Sequence, residues 1–150
     1  MKGQTAIEYL MTYGWAILII LIVAGVLAYY GIFAPSGFLG PTARGFGQLQ
    51  VLTPWSLATT GYLTLNVENR VGGTINITQI NATLDNNNYG FPLSPQIQIP
   101  SCLNGIVAGA LTPVIPTHST GEAYTITVTI YYNYSGSIFS STGTLSGTYS

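Results

Sequence analysis

Glu8, Glu68, Asp85, Glu122 and His118 are the side chains of this 150-residue chain that could carry acid–base chemistry, and they are scattered along it. General acid–base or nucleophilic catalysis needs titratable groups held within hydrogen-bond reach of a reacting atom. No Ser-centred nucleophile elbow accompanies them. The glycine-containing stretch GVLAYYG lacks the lysine of a phosphate-binding loop. His118 sits in PTHSTG and reads as an exposed loop residue. The run Asp85-Asn86-Asn87-Asn88-Tyr89-Gly90 has an outline of a calcium loop. Tyr89 occupies a ligand position, however, and the distal Glu is missing, so a hairpin turn is the better reading. Cys102 is the one cysteine, which rules out an internal disulfide and a Cys-based metal site and leaves a small buried hydrophobe or an idle thiol. The residues therefore point to no catalytic group, no metal and no cofactor, and an enzyme is not expected.

Modification chemistry has a clearer signature. Asn76-Ile77-Thr78, Asn81-Ala82-Thr83 and Asn133-Tyr134-Ser135 are N-glycosylation sequons. Each asparagine lies on the polar phase of an alternating segment, so each is expected to point outward.

Composition narrows the class. Charged residues make up 5% of the chain and hydrophobic ones 47%, with a net charge of −1. Soluble domains usually carry about a quarter charged residues. Here 19 Thr, 11 Ser and 9 Asn supply polarity without charge. Such a surface suits a protein that is exported, sugar-coated or packed among its own copies. No basic patch exists to neutralise phosphates, so nucleic acid is not an expected partner.

The elements that must position these residues fall into two parts. From Tyr9 to Ala43 there is no charge, and Leu10–Phe33 is apolar apart from Thr12, Gly14, Gly25 and Gly31. Apolar residues surround the whole helical circumference, as in a helix buried on all sides by lipid or protein. A continuous helix over residues 4–34 is expected, ended by Pro35-Ser36-Gly37. Gly14 and Gly25 project to nearly one face, and Ala24 and Ala28 have small-xxx-small spacing; both features permit close helix approach. Tyr9, Tyr13 and Trp15 are candidate interface aromatics at one end, Tyr29 and Tyr30 at the other. Residues 35–47, with four glycines and two prolines, read as a neck.

Beyond the neck the period changes to two. Leu63, Leu65 and Val67 alternate with polar residues, as do Tyr124, Ile126, Val128, Ile130 and Tyr132. Leu49 and Val51 mark a shorter strand. In Thr74–Leu84 the apolar phase slips between Ile77 and Ile80, which predicts a bulge near Thr78-Gln79. The C-terminal SIFSSTGTLSGTYS is expected to pair with Glu122–Tyr134 across Ser135-Gly136. Residues Phe91–Ser119, rich in proline, give no assignable pattern. The expected fold is α+β: a long continuous N-terminal hydrophobic helix, then an antiparallel head over 48–150 of six or seven strands, an immunoglobulin-like β-sandwich.

The N-terminus admits three readings: a signal cut after its apolar run, a plain membrane anchor, or a segment cut before that run. The single Lys2 offset by Glu8, and an apolar stretch far beyond the usual 7–15 residues, oppose the first. Lys2-Gly3-Gln4-Thr5-Ala6-Ile7-Glu8, followed by MTYGWAI, resembles the processing site of archaeal type IV pilins with class III signal peptides. That resemblance covers about the first 30 residues, although Ala6 and Thr12 stand where the family often has Ser and Leu. It implies cleavage by a prepilin peptidase between Gly3 and Gln4, which removes residues 1–3 as a leader. It implies that the new Gln4 amine meets Glu8 of a neighbouring copy and sets the assembly register. It also implies a helical homo-oligomeric filament at the cell surface, built from a membrane-anchored precursor by dedicated assembly machinery and used for adhesion. Two other readings share parts of this pattern: a subunit of the archaellum (the swimming filament), and a membrane-tethered module that binds sugars or other solutes outside the cell.

Overall fold

A computed structural model describes residues 2–30 and 40–150. The chain divides into two compact units, 1–38 and 39–150. The first contains helix α1, Lys2–Tyr29. The uninterrupted run of residues without proline allows it to persist for 28 residues. The stop expected at Pro35-Ser36-Gly37, and the last residues of the 4–34 helix, lie outside the described residues. α1 begins at Lys2, so Glu8 falls in its second turn and the first turn holds no acid.

The second unit is built from antiparallel strands. They are β1 (Thr42–Arg44), β2 (Leu49–Leu57), β3 (Tyr62–Asn69), β4 (Ile75–Leu84), β5 (Asn87–Ile99), β6 (Asn104–Ala110), β7 (Ala123–Tyr134) and β8 (Ser137–Thr148). One sheet has the order β1-β8-β7-β4-β5 and the other β2-β3-β6. Alternation decides which face is inside. Leu63, Leu65 and Val67 of β3 are fully buried, and so are Ile126, Val128 and Ile130 of β7. With Ile75, Ile77, Ile80 and Leu145 they form one core between the two sheets.

β4 keeps its apolar side on that core despite the slip in its sequence. Its register shifts between Ile77 and Gln79 against both neighbours, β5 and β7. An extra residue there returns Ile80, Ala82 and Leu84 to the buried face. Two-residue turns close the hairpins. Asp85 and Asn86 (φ 50° and 64°) join β4 to β5, and Ser135 and Gly136 (φ 51° and 85°) join β7 to β8. Left-handed conformations at both turn positions match the twist of the flanking strands.

Two differences from the sequence expectation have physical causes. There are eight strands among the described residues, because β6 and most of β5 fall within the unassigned Phe91–Ser119. Pro92 and Pro95 obscured β5, yet β5 is an edge strand, where a missing N–H is tolerated. Pro54 sits likewise in the edge strand β2. Within the segment 35–47 read as a neck, Thr42–Arg44 pairs with Ser146, Leu145 and Thr144 of β8. Ala43 and Phe46 pack against the core.

Candidate functional site

The candidate residues lie in two regions: the surface of α1, and the outer face and ends of the head. On α1 the large apolar side chains from Ile7 to Tyr29, apart from the half-buried Leu27, are exposed, between 48% (Ile19) and 87% (Tyr29). Gly3–Tyr29 is long and apolar enough to cross a membrane, about 40 Å at 1.5 Å per residue. Gln4 and Glu8 are one turn apart and both exposed. The Glu8 carbonyl accepts a hydrogen bond from Thr12 Oγ1 at 2.8 Å, which leaves its carboxylate uninvolved in that contact. A Cβ added at Gly14 or Gly25 would meet nothing within 4 Å, so both stand against open space. Ala24 is half-buried and Ala28 exposed on the same helix. Tyr9 and Tyr13 pack ring to ring at 4.6 Å, and Tyr29 and Tyr30 at 5.6 Å.

On the head, strand phase places the three sequon asparagines. Asn76 and Asn81 of β4 and Asn133 of β7 are half-buried on the side of the five-stranded sheet away from the core. Asn76 is the direct cross-strand partner of Asn133. Asn133 Oδ1 accepts from the Gly136 N–H at 3.0 Å, and Asn81 Oδ1 accepts from Gln79 Nε2 at 2.7 Å.

His118 departs from the expected exposed loop position. Its side chain is 15% exposed and stacks on Tyr149, ring centroids 4.4 Å apart with planes 8° from parallel. Its Nδ1 lies 3.3 Å from Glu122 Oε2. The Ser119 N–H donates to the same oxygen at 3.1 Å. These contacts, the Ser119 bond first and His118 second, hold the Glu122 carboxyl below its ordinary value. Tyr149 is 3% exposed, and burial pushes its phenol up to about 12. Burial also raises Tyr124, partly offset by the neighbouring Trp55 indole. Trp55 Nε1, His118 Nε2 and Tyr149 OH are buried without a hydrogen-bond partner. The cluster ties the C-terminus to the rest of the head: Ser150 N donates to Leu57 O, and Tyr149 N to Glu122 O. Tyr149 and Tyr124 belong to the core there, and Trp55 packs against it.

The opposite end has a polar hub that the sequence did not announce. Asn69 is fully buried. Its Nδ2 donates to Gly73 O and Ile99 O, both at 2.9 Å, and its Oδ1 accepts from Val71 N at 2.8 Å. One side chain thus fixes the loops that precede β4 and follow β5. Asn in turn-rich sequence is the only signal, and it is shared with many surface residues.

Cys102 is exposed, in a left-handed turn position. Among the described residues no group of three His, Cys, Asp or Glu stands together as a metal cage. No protein-family model matches the chain, and no curated protein or solved structure compared with it does either.

Proposed function

We propose that this chain is the structural subunit of an adhesive filament of the archaeal type IV pilus kind. One observation carries the reading: α1 is apolar around its circumference from Leu10 to Tyr29, and nearly all of its large apolar side chains are exposed. Seven consecutive residues, Ile17–Val23, each represent about 1.5–3 kcal/mol on full burial, more than about 10 kcal/mol together. Lipid supplies that cover for the precursor, and equivalent helices supply it in the fibre.

In this reading a prepilin peptidase cuts between Gly3 and Gln4 and removes residues 1–3. Residues 4–34 anchor the precursor and then form the filament core, with Gly14, Ala24, Gly25 and Ala28 admitting close neighbours. The released Gln4 amine faces Glu8 of the next copy. A buried carboxylate without a counter-charge costs several kcal/mol, so the pair favours one axial register. The head is an immunoglobulin-like sandwich forming the outer wall, hydrated by glycans at Asn76, Asn81 or Asn133. One head-to-tail contact, repeated without closing, generates the helix of the fibre.

Electron microscopy of material sheared from cells, with N-terminal sequencing of the purified chain, tests the proposal. Filaments whose subunit begins at Gln4 support it. An intact Met1 in a non-filamentous membrane fraction overturns it and favours a plain tether.

A further inference from the structure

The outer face of the five-stranded sheet carries a groove of about 580 Å³ that the filament reading does not use. It arises from cross-strand rows. Thr129 pairs with Asn81, Asn81 with Gly90, and Gly90 with Thr112 through an isolated bridge beyond the edge of β5. In that row of four outward-facing positions Gly90 contributes no side chain. Its φ is not in the left-handed region, so backbone conformation does not demand glycine there. Space does: a Cβ would lie 2.7 Å from Asn81 Oδ1 and 2.8 Å from Ile80 O. Thr112 holds the outer rim in place, exchanging both backbone hydrogen bonds with Gly90 (2.9 and 3.0 Å) and donating Oγ1 to Gly90 O at 2.6 Å.

The flanking rows complete the site. On one side are Thr83 and Asn88, cross-strand partners whose side chains bond at 2.9 Å. On the other are Tyr131, Gln79 and Pro92, again in register. Gln79 Nε2 fixes Asn81 Oδ1 at 2.7 Å. The amides are thus held by their neighbours, which lowers the cost of ordering them around a ligand. Amide N–H and C=O groups beside threonine hydroxyls match the paired donors and acceptors of vicinal sugar hydroxyls. The half-buried Tyr131 ring offers an apolar surface for the C–H face of a pyranose. None of the lining residues is charged.

We infer that this groove seats a short neutral saccharide, its hydroxyls on Gln79, Asn81 and Asn88 and a ring face on Tyr131. The sugar has two possible sources of one chemistry. Asn81 opens a sequon, so a glycan attached there would start inside the groove; otherwise the groove takes a free or foreign saccharide. The inference rests on the head alone and stands or falls independently of filament formation.

Glycopeptide mass spectrometry on the native full chain first decides whether Asn81 is modified. Where it is not, the isotope-labelled full chain in detergent micelles is titrated with mannotriose and maltotriose, and backbone amide shifts are followed. Saturable shifts at Gly90, Thr112 and Tyr131, with affinity reduced about tenfold by Tyr131→Ala and by Gln79→Ala, bear the inference out. Where Asn81 is modified, hydrogen exchange at Gly90 and Thr112 is compared before and after enzymatic deglycosylation. Lower protection after sugar removal bears it out for the attached source. Thr144→Ala, on the same face outside the groove, is the control. The inference is overturned if unmodified protein shows no saturable shifts with either trisaccharide, if shifts persist unchanged in both groove variants, or if deglycosylation leaves exchange there unaltered.

Discussion

Replacing Asn69 tests how the head is held together. The residue is fully buried, and its side chain makes three hydrogen bonds to backbone groups, two of them in buried surroundings without water. Asn69→Leu keeps the branched four-atom side chain, at a larger volume, and removes both donors and the acceptor. The Ile99 carbonyl and the Val71 N–H lose partners in buried surroundings, at about 1–3 kcal/mol each; the Gly73 carbonyl is partly exposed and loses about 1 kcal/mol. The total is about 4 kcal/mol, a large part of the roughly 5–15 kcal/mol that a domain has in all. Amide hydrogen exchange of β4 and β7, read by mass spectrometry on the full chain in micelles, reports the head without interference from α1. Protection in those strands is expected to fall about a thousandfold. Asn69→Asp, which restores the acceptor for Val71 but faces two carbonyls with oxygen, is expected to fail almost as badly. Asn104→Ala, which breaks an exposed 2.8 Å amide pair with Asn66, is the control and changes protection less than about threefold. A loss below tenfold in Asn69→Leu would refute the reasoning, because it would mean that the two loops are positioned without their shared hub.

Three other outcomes follow from the same structure. Glu8→Gln is expected to leave membrane insertion intact while reducing filament yield at least tenfold, counted by electron microscopy against precursor in the membrane fraction; equal yields would remove Glu8 from assembly. Burial raises Tyr149 to about 12 from 10, so its contribution is complete below pH 10 and is lost as pH rises through 12, up to about 3 kcal/mol; Tyr149→Phe, which also removes an unpartnered hydroxyl, is expected to equal or exceed the parent in thermal midpoint at pH 7 and to exceed it by a wider margin at pH 11. Asn76 and Asn133 are direct cross-strand partners with Cβ atoms about 4.5–5.5 Å apart; intact-glycopeptide mass spectrometry is expected to find either one modified in a given molecule, and abundant doubly modified chains would contradict the crowding.

What could be read in advance was what repeats locally. α1 announces itself through a charge-free run with no proline, and β3 and β7 through strict alternation between core and solvent. The slip between Ile77 and Ile80 located a register shift because β4 is buried on one side and cannot rotate without exposing its isoleucines. Asp85-Asn86 and Ser135-Gly136 marked turns because those residue types accept left-handed conformations. β5 stayed hidden because Pro92 and Pro95 mimic a loop, although Tyr89, Phe91 and Ile99 alternate into the core. β1 is three residues within a glycine-rich stretch. Asn69, His118 and the groove escaped for a different reason. The partners of Asn69 include Ile99, thirty positions on. His118 is covered by Tyr149 from the far end of the chain. The groove is a row across four segments, and its defining feature is a side chain that Gly90 lacks. The outward orientation of the sequons, in contrast, needed only the two-residue period.

The scarcity of charge links the two units. Among the described residues, the ion pairs are Arg70–Glu68, at 2.8 Å and largely exposed, and the His118–Glu122 contact. Exposed pairs of this kind contribute about 0–1 kcal/mol. The head is therefore held by its apolar core and by neutral hydrogen bonds such as Thr129–Thr142 and Thr125–Ser146 across β7 and β8. The same shortage limits how copies find each other. Without strong fields of either sign, long-range steering is weak, and association depends on short-range packing. On the pilin reading, the membrane makes up for that shortage: α1 confines precursors to a plane and raises their local concentration. The contacts that then form, between apolar helices and between uncharged faces, are little weakened by salt screening. A filament assembled on those terms resists salt for the same reason that its subunit cannot stay dispersed without lipid, namely that its N-terminal third carries almost no charge.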